Sequence, residues 1–500
     1  MTHKVIISSK KNLQSKYGDQ FQEVEKLLAA LVKSDNKRDI TTQIIYIDDA
    51  DSASKAGIGA VNSVTRPRAK RAVDAIYKNI HPAYIVLFGT DDIFPFQELN
   101  NPCTNQDDDA VVPSDLPYAC DAAYSRKISS FTGPTRVVGR IPDIQGNADM
   151  EYLKNIFDAM INYKRVKSEK LMDYFAITAE VWKKSTQQSL SNMFGNNTHL
   201  KNSPPQNSPH AAAVLKPLTH FYNCHGAPTD AKFYGQKGNN YPTAQYSPAL
   251  DGKVTAGTVV AAECCYGAEL YDPNNEGTRN IGIPNMYLKN KAIAFVGSSN
   301  IAYGPASGNG LADLITQYFI KNVINGASTG RALLDARQKF LSVNGPHLDP
   351  YELKTVAQFY LLGDPSITAV TEPASESSTD NIINWRLNLY NKGLNLAATI
   401  APSEKVDRSQ KKSRRMVSDE IKKIFKETGF TGKEEETLYE VKSKNKKVTA
   451  FAKIFSGRED IVFRTFVQKS KEMNGIHSYD VLVFKESGDE MLGWRLYHSK

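Results

Sequence analysis

The sequence predicts a large α/β domain on a mostly parallel central sheet, followed by a small α+β domain. Three observations predict it. Short, almost wholly apolar runs recur through the first 370 residues, as strands buried on both faces of a parallel sheet require. Amphipathic stretches of helical length separate those runs. From 437 to 497 apolar and polar residues alternate instead, the mark of an antiparallel sheet with one packed face. A chain of 500 residues accommodates more than one such unit.

Taken in order, the expected strands are residues 5–8, 43–47, 84–89, 136–140, 174–179, 219–223, 258–263 and 293–297. Helical patterns lie between them at 19–32, 69–79, 147–164, 186–194, 311–324 and 329–341. Strand and helix in repetition give parallel α/β units, as one large sheet or two modules side by side. Residues 371–380, TEPASESSTD, are polar without an apolar period and read as a linker. The stretch 403–426 is basic and runs into a helix. TLYEVKS, VTAFAKIF, DIVFRTFVQ, YDVLVFK and LGWRLYH are the alternating strands of the last domain. The expected division is an α/β subdomain at 1–170, a second at 171–370, a linker at 371–410 and a basic α+β accessory domain at 411–500.

Composition excludes several classes. No run approaches 18 apolar residues, so no membrane span is expected. The opening MTHKVIISSKK has too short an apolar run for a signal peptide, which predicts a cytoplasmic protein. Five cysteines without a Cys-x-x-Cys do not form a disulfide framework. Cys224, His225, Cys264 and Cys265 are the nearest grouping to a metal site. Adjacent strand residues point to opposite faces, so no metal or other cofactor is expected there. Calcium has one candidate, Asp107, Asp108 and Asp109 with Asp91, Asp92 and Asp115 nearby. That cluster lacks an EF-hand spacing and reads as a solvated acidic loop.

Functional groups of a parallel sheet sit just beyond the carboxyl ends of its strands. Four ends stand out: Gly89-Thr90-Asp91-Asp92, Ala179-Glu180, Cys224-His225-Gly226 and Glu263-Cys264-Cys265-Tyr266-Gly267. Two consecutive strands thus end in an imidazole and a thiol. Adjacent strand ends lie about 5 Å apart. A thiol becomes a nucleophile at neutral pH only beside a base or positive charge, and histidine is the usual one.

A strand ending in His-Gly, followed by a strand ending in Cys-x-x-Gly, resembles the caspase-like (clan CD) cysteine peptidases. The gingipain family (peptidase family C25) is the closest among them. YIVLFGTDDIFP, PSDLPYA, VVGRIP, AIAFVGSSNIAYG and FYLLGDPSITAV are similar to segments of that family, in order, over about residues 80–370. The resemblance implies a caspase-like sandwich in two subdomains and a cysteine endopeptidase acting on proteins or peptides. It implies Cys264 as nucleophile, because Gly267 completes Cys-x-x-Gly, with Cys265 turned the other way into packing. Cys265 fits the Cys-x-Gly of true caspases. His225 is the implied acid and base, Glu180 its orienting carboxylate, and the amides of Gly226 and Cys264 the oxyanion donors. The family's acidic specificity residue has no counterpart in Lys183, Lys184, Ser185 and Thr186. Ser298, Ser299, Asn300, Ile301 and Tyr303 are then the expected substrate-binding wall, and the pocket is not expected to be strongly acidic.

The formal net charge is +8, and residues 401–500 hold 22 Lys/Arg against 16 Asp/Glu. The run Lys411, Lys412, Arg414 and Arg415 carries no recognised nucleic-acid motif. A regulatory protein partner of 411–500 is the expectation. The alternatives are a catalytically silent scaffold and a nucleic-acid-binding regulator acting through the basic domain.

Overall fold

The computed structural model describes residues 2–275, 279–372, 382–406, 418–432, 434–441, 461–470, 477–488 and 490–500. All eight strands expected before residue 370 are present, within three residues at either end. They form one sheet rather than two modules. With two further strands its order is Ile40–Tyr46, Thr2–Ser8, Tyr84–Phe88, Val138–Ile141, Phe359–Leu362, Ala294–Ser298, Val259–Ala262, Thr219–Asn223, Tyr174–Ala179 and Leu200–Ser203. Every pair is parallel except Phe359–Leu362 against Ala294–Ser298. The central strands read as continuous apolar runs because both faces are covered. Val5, Ile6, Ile7, Val86, Val260 and Val296 have no exposed surface. Burial of each such side chain contributes about 1.5–3 kcal/mol.

Buried charges tie the segments that resemble family signatures to one another and to the first strand. Arg140 is fully buried and donates to both Asp115 carboxylate oxygens, at 2.9 and 2.6 Å. It also donates to the carbonyls of Gly89 and Phe94 at 2.6 and 2.7 Å. Asp364, of the Gly-Asp-Pro-Ser segment, accepts from buried Lys4 at 2.6 Å, which ties the closing loop to the first strand. A buried charge is tolerated when it is paired and hydrogen-bonded, and these are.

A second, seven-stranded sheet runs Tyr303–Gly304, Glu490–Ser499, Tyr479–Ser487, Ile461–Lys469, Glu436–Val441, Ala401–Lys405 and His347–Leu348. Both of its edges belong to the α/β unit. The helix Asp419–Thr428 lays Ile421, Ile424 and Phe425 against Phe466, Leu482 and Phe484. Residues 371–410 are not simply a linker. They contain the helix Ile382–Thr399, whose Trp385 and Leu389 pack on Val137 and Leu334, and the strand Ala401–Lys405. The run at 411–415, most of TEPASESSTD and the strand expected in VTAFAKIF lie outside the described residues.

Candidate active site

Thr219–Asn223 and Val259–Ala262 are neighbours, with Ala262 opposite Tyr222. Side chains alternate along a strand. Beyond Ala262 and Asn223 the two strands end, and the contacts locate each side chain. Glu263 accepts from the Thr316 hydroxyl at 3.1 Å, and Asn223 donates to the Thr186 hydroxyl at 3.0 Å. The His225 ring packs on Trp182 with centroids 4.4 Å apart. The Cys265 sulfur accepts the Ala302 N–H at 3.3 Å, whereas the Cys224 N–H faces the Cys264 sulfur. The Cys265 sulfur thus packs against Ala302 and the Cys264 sulfur against Cys224.

His225 is 2% exposed, and its Nε2 lies 2.7 Å from Gln236 Oε1. The Gln236 amide nitrogen donates to the Gly238 carbonyl at 3.2 Å, which fixes the amide with its oxygen toward the ring. Nε2 therefore carries the proton and Nδ1 the lone pair. Burial pushes the imidazole down to about 4, against the Gln236 hydrogen bond, so the ring is neutral at pH 7. Glu180 does not reach it. Its carboxylate pairs with Lys237 at 3.2 Å, and its N–H donates to the Gln236 carbonyl at 3.0 Å. The sequence missed Gln236 because it sits in a polar loop eleven residues past the histidine. At Gly226 a Cβ would lie 1.8 Å from the Cys265 carbonyl oxygen, so the strand ends meet this closely only through glycine.

The expected substrate wall is a braced turn. Ser298 donates to the Cys264 carbonyl at 2.8 Å, and the Tyr266 N–H donates to the Asn300 carbonyl at 3.0 Å. Ser299 is buried beside them. The Ile301 N–H donates to Asp109 at 3.0 Å, and the Tyr303 hydroxyl donates to Asp107 at 3.0 Å. The Tyr303 side chain is thus tied to the Asp107 carboxylate. Lys354 Nζ bridges Asp107 and Asp109 at 2.6 Å each, while Asp108 pairs with Lys469 at 2.8 Å. The carboxylates offered to calcium by the sequence have cations as partners: lysines at Asp92, Asp107, Asp108 and Asp109, and arginines at Asp91 and Asp115. Among the described residues no group of three His, Cys, Asp or Glu side chains is arranged to hold a metal ion.

Beside this turn two buried carboxylates, Glu263 and Asp313, enclose the ammonium of Lys500. Lys500 is 1% exposed, and its Nζ lies 2.6 Å from Glu263 Oε2 and in closer contact with Asp313. The Trp182 ring centroid is 5.7 Å away. Ser185 and the Gly310 N–H hold Asp313 at 2.9 and 3.1 Å. Burial lowers the Lys500 ammonium, but the Asp313 and Glu263 charges outweigh it, and the net shift is upward. Burial and then the Asp313 charge push the Glu263 carboxyl well up. Glu263 is the residue before Cys264, and Asp313 lies in the first turn of the helix Ala312–Ile324.

Burial pushes the Cys265 thiol up to about 12, against the N–H groups of Ala302 and Lys500, and it pushes Cys264 well up too. Both thiols are protonated in this closed arrangement.

The model of peptidase family C25 matches residues 5–370, nearly three-quarters of the chain. The chain belongs to peptidase family C25. It is a cysteine peptidase, a hydrolase whose substrates are proteins or peptides. No curated protein matches this C25 peptidase. None of its described helices is long and apolar enough to cross a membrane.

Proposed function

We propose that the chain is a caspase-like cysteine endopeptidase that cuts after lysine, with Cys265 as nucleophile and His225 as general acid and base. One observation carries the reading: the main-chain oxygen of Lys500 accepts the Cys265 N–H at 2.8 Å while its side chain fills the acidic pocket. That oxygen stands in for the carbonyl oxygen of a substrate residue preceding the scissile bond. Strand alternation continued past Ala262 would put Cys264, favoured by the Cys-x-x-Gly spacing, on the opposite face. Cys265-Tyr266-Gly267 is the alternative Cys-x-Gly.

In this reading the substrate enters as an extended strand against Tyr303–Gly304. Its lysine ammonium pairs with Glu263 and Asp313. His225 Nδ1 takes the Cys265 proton, and the sulfur attacks the carbonyl carbon. The oxyanion is held by the Cys265 N–H, with the Gly226 N–H beside it, donors typically worth about 3–4 kcal/mol each. His225 then gives the proton to the leaving amine, and water hydrolyses the thioester. Gln236 takes the orienting role for which Glu180 was the candidate. All five cysteines are free, which suits a reducing, intracellular compartment.

The test is cleavage of a peptide library by wild type, C264A and C265A. Cuts after lysine that survive in C264A and vanish in C265A are expected. Loss in C264A with retention in C265A would transfer the nucleophile to Cys264. Cuts with no lysine preference would overturn the pocket assignment.

A further inference from the structure

The strand Glu490–Ser499 pairs at its end with the sheet's edge strand Tyr303–Gly304, which the α/β unit contributes. Tyr303 pairs with Ser499 and Gly304 with His498, antiparallel, on the edge where the proposed substrate strand adds. The Lys500 N–H donates to the Ala302 carbonyl at 2.9 Å. The Cys265 N–H donates to the Lys500 oxygen at 2.8 Å. A Cβ at Gly304 would lie 2.2 Å from Lys500 Cε, so the missing side chain there is the space that admits the lysine stem. Residues 498–500 therefore have the direction, backbone pairing and side-chain seat of the three residues before a scissile bond.

We propose that residues 498–500 are a built-in occupant of the substrate cleft, so that the site opens only when the end of the Glu490–Ser499 strand is displaced. The inference rests on the peptidase reading for the identity of the cleft, and on the pairing alone for its occupancy. The tail leaves no room for a second strand on Tyr303–Gly304 and no vacancy between Glu263 and Asp313. Its Lys500 oxygen also covers the Cys265 N–H, and burial is what keeps the Cys265 thiol protonated. The tail is held from behind as well. His498 Nδ1 lies 2.6 Å from Asp480, and the Tyr479 N–H donates to the Ser499 hydroxyl at 2.8 Å. A partner that peels this strand from Tyr479–Ser487 therefore acts as an activator. A tethered segment has an effective concentration on the order of millimolar. Against an affinity on the order of 10 μM, that leaves the cleft roughly 99% closed, a hundredfold suppression.

The experiment uses the full chain with Lys500→Glu, which places a third carboxylate in the pocket and repels the tail. Alkylation of Cys265 by iodoacetamide is followed by mass spectrometry of its peptide, and hydrolysis of a lysine-containing peptide is followed in parallel. At least tenfold faster alkylation than in wild type is expected, slowed again by a synthetic peptide of residues 490–500 but not by its Lys500→Glu version. Equal alkylation rates in wild type and variant overturn the occupancy, whatever the hydrolysis shows. Fast alkylation without hydrolysis leaves the occupancy standing and overturns the peptidase reading of this site. If Lys500→Glu fails to fold by circular dichroism, the variant lacking residues 498–500 takes its place, with the same rates deciding for or against occupancy.

Discussion

Replacing Asp313 by asparagine removes one of two carboxylates that hold a fully buried ammonium. In the closed structure that ammonium lies 2.6 Å from Glu263 and closer still to Asp313, with no solvent on any of the three groups. Truncating one partner of a buried, hydrogen-bonded charge pair costs about 2–5 kcal/mol. At about 1.4 kcal/mol per factor of ten, D313N is expected to lower kcat/KM for a lysine substrate by roughly 30- to 4,000-fold. Glu263 is pushed up by burial and by the Asp313 charge, so E263Q removes less negative charge and is expected to cost less. The assay compares fluorogenic peptides with lysine or methionine before the scissile bond, in a Lys500→Glu background that keeps the tail from competing. D313N should collapse the lysine-to-methionine ratio and leave the methionine rate within about threefold, since an apolar side chain does not draw on the ion pair. A ratio unchanged by both D313N and E263Q would refute the assignment of these carboxylates to the specificity pocket.

Lys354→Met leaves Asp107 and Asp109 buried without their cation and is expected to destabilise the catalytic unit by about 3–5 kcal/mol, measured by urea unfolding; a loss below about 1 kcal/mol would contradict a structural role for this ion-paired cluster. Gly226→Ala forces a Cβ to 1.8 Å from the Cys265 carbonyl, and a fall in kcat of about a hundredfold or more is expected from the displaced oxyanion donor, with near-wild-type turnover as the contrary result. His225 titrates near 4 in the folded chain against 6.5 unfolded, so between those values the unfolded state binds more protons and stability falls as pH falls. Relative to H225Q, wild type should lose about 2–3 kcal/mol between pH 7 and pH 4 in denaturant titrations, and parallel curves would show that burial does not shift this ring.

The large sheet was legible in the sequence because its strands are buried on both faces and therefore read as unbroken apolar runs. Phe359–Leu362 was recognised as a family segment but not as a strand. Its one antiparallel pairing follows from a chain reversal over the helix Pro350–Gln358 that no local pattern announces. His225 and the cysteine pair were singled out from strand ends alone. Which sulfur is the nucleophile was not decided there, because the spacing to Gly267 favours Cys264, whereas the Lys500 contact that favours Cys265 is tertiary. Glu180 was a carboxylate in the expected place, yet Lys237 takes it. Gln236 comes from a loop whose path no periodicity encodes. The acidic pocket was hidden for a related reason. Glu263 reads as the end of a buried strand and Asp313 as the first turn of a helix, and only the fold sets them on either side of Lys500. The tail itself lies 235 residues past Cys265, beyond any local pattern.

The central claim is that Cys265 and not Cys264 forms the covalent bond with substrate. Labelling of the Lys500→Glu chain with a lysyl chloromethyl ketone, followed by digestion and fragmentation mass spectrometry across 259–267, reads this directly. One adduct is expected, on the Cys265 sulfur, abolished in H225Q. An adduct on Cys264, or equal labelling of both sulfurs independent of His225, would contradict it.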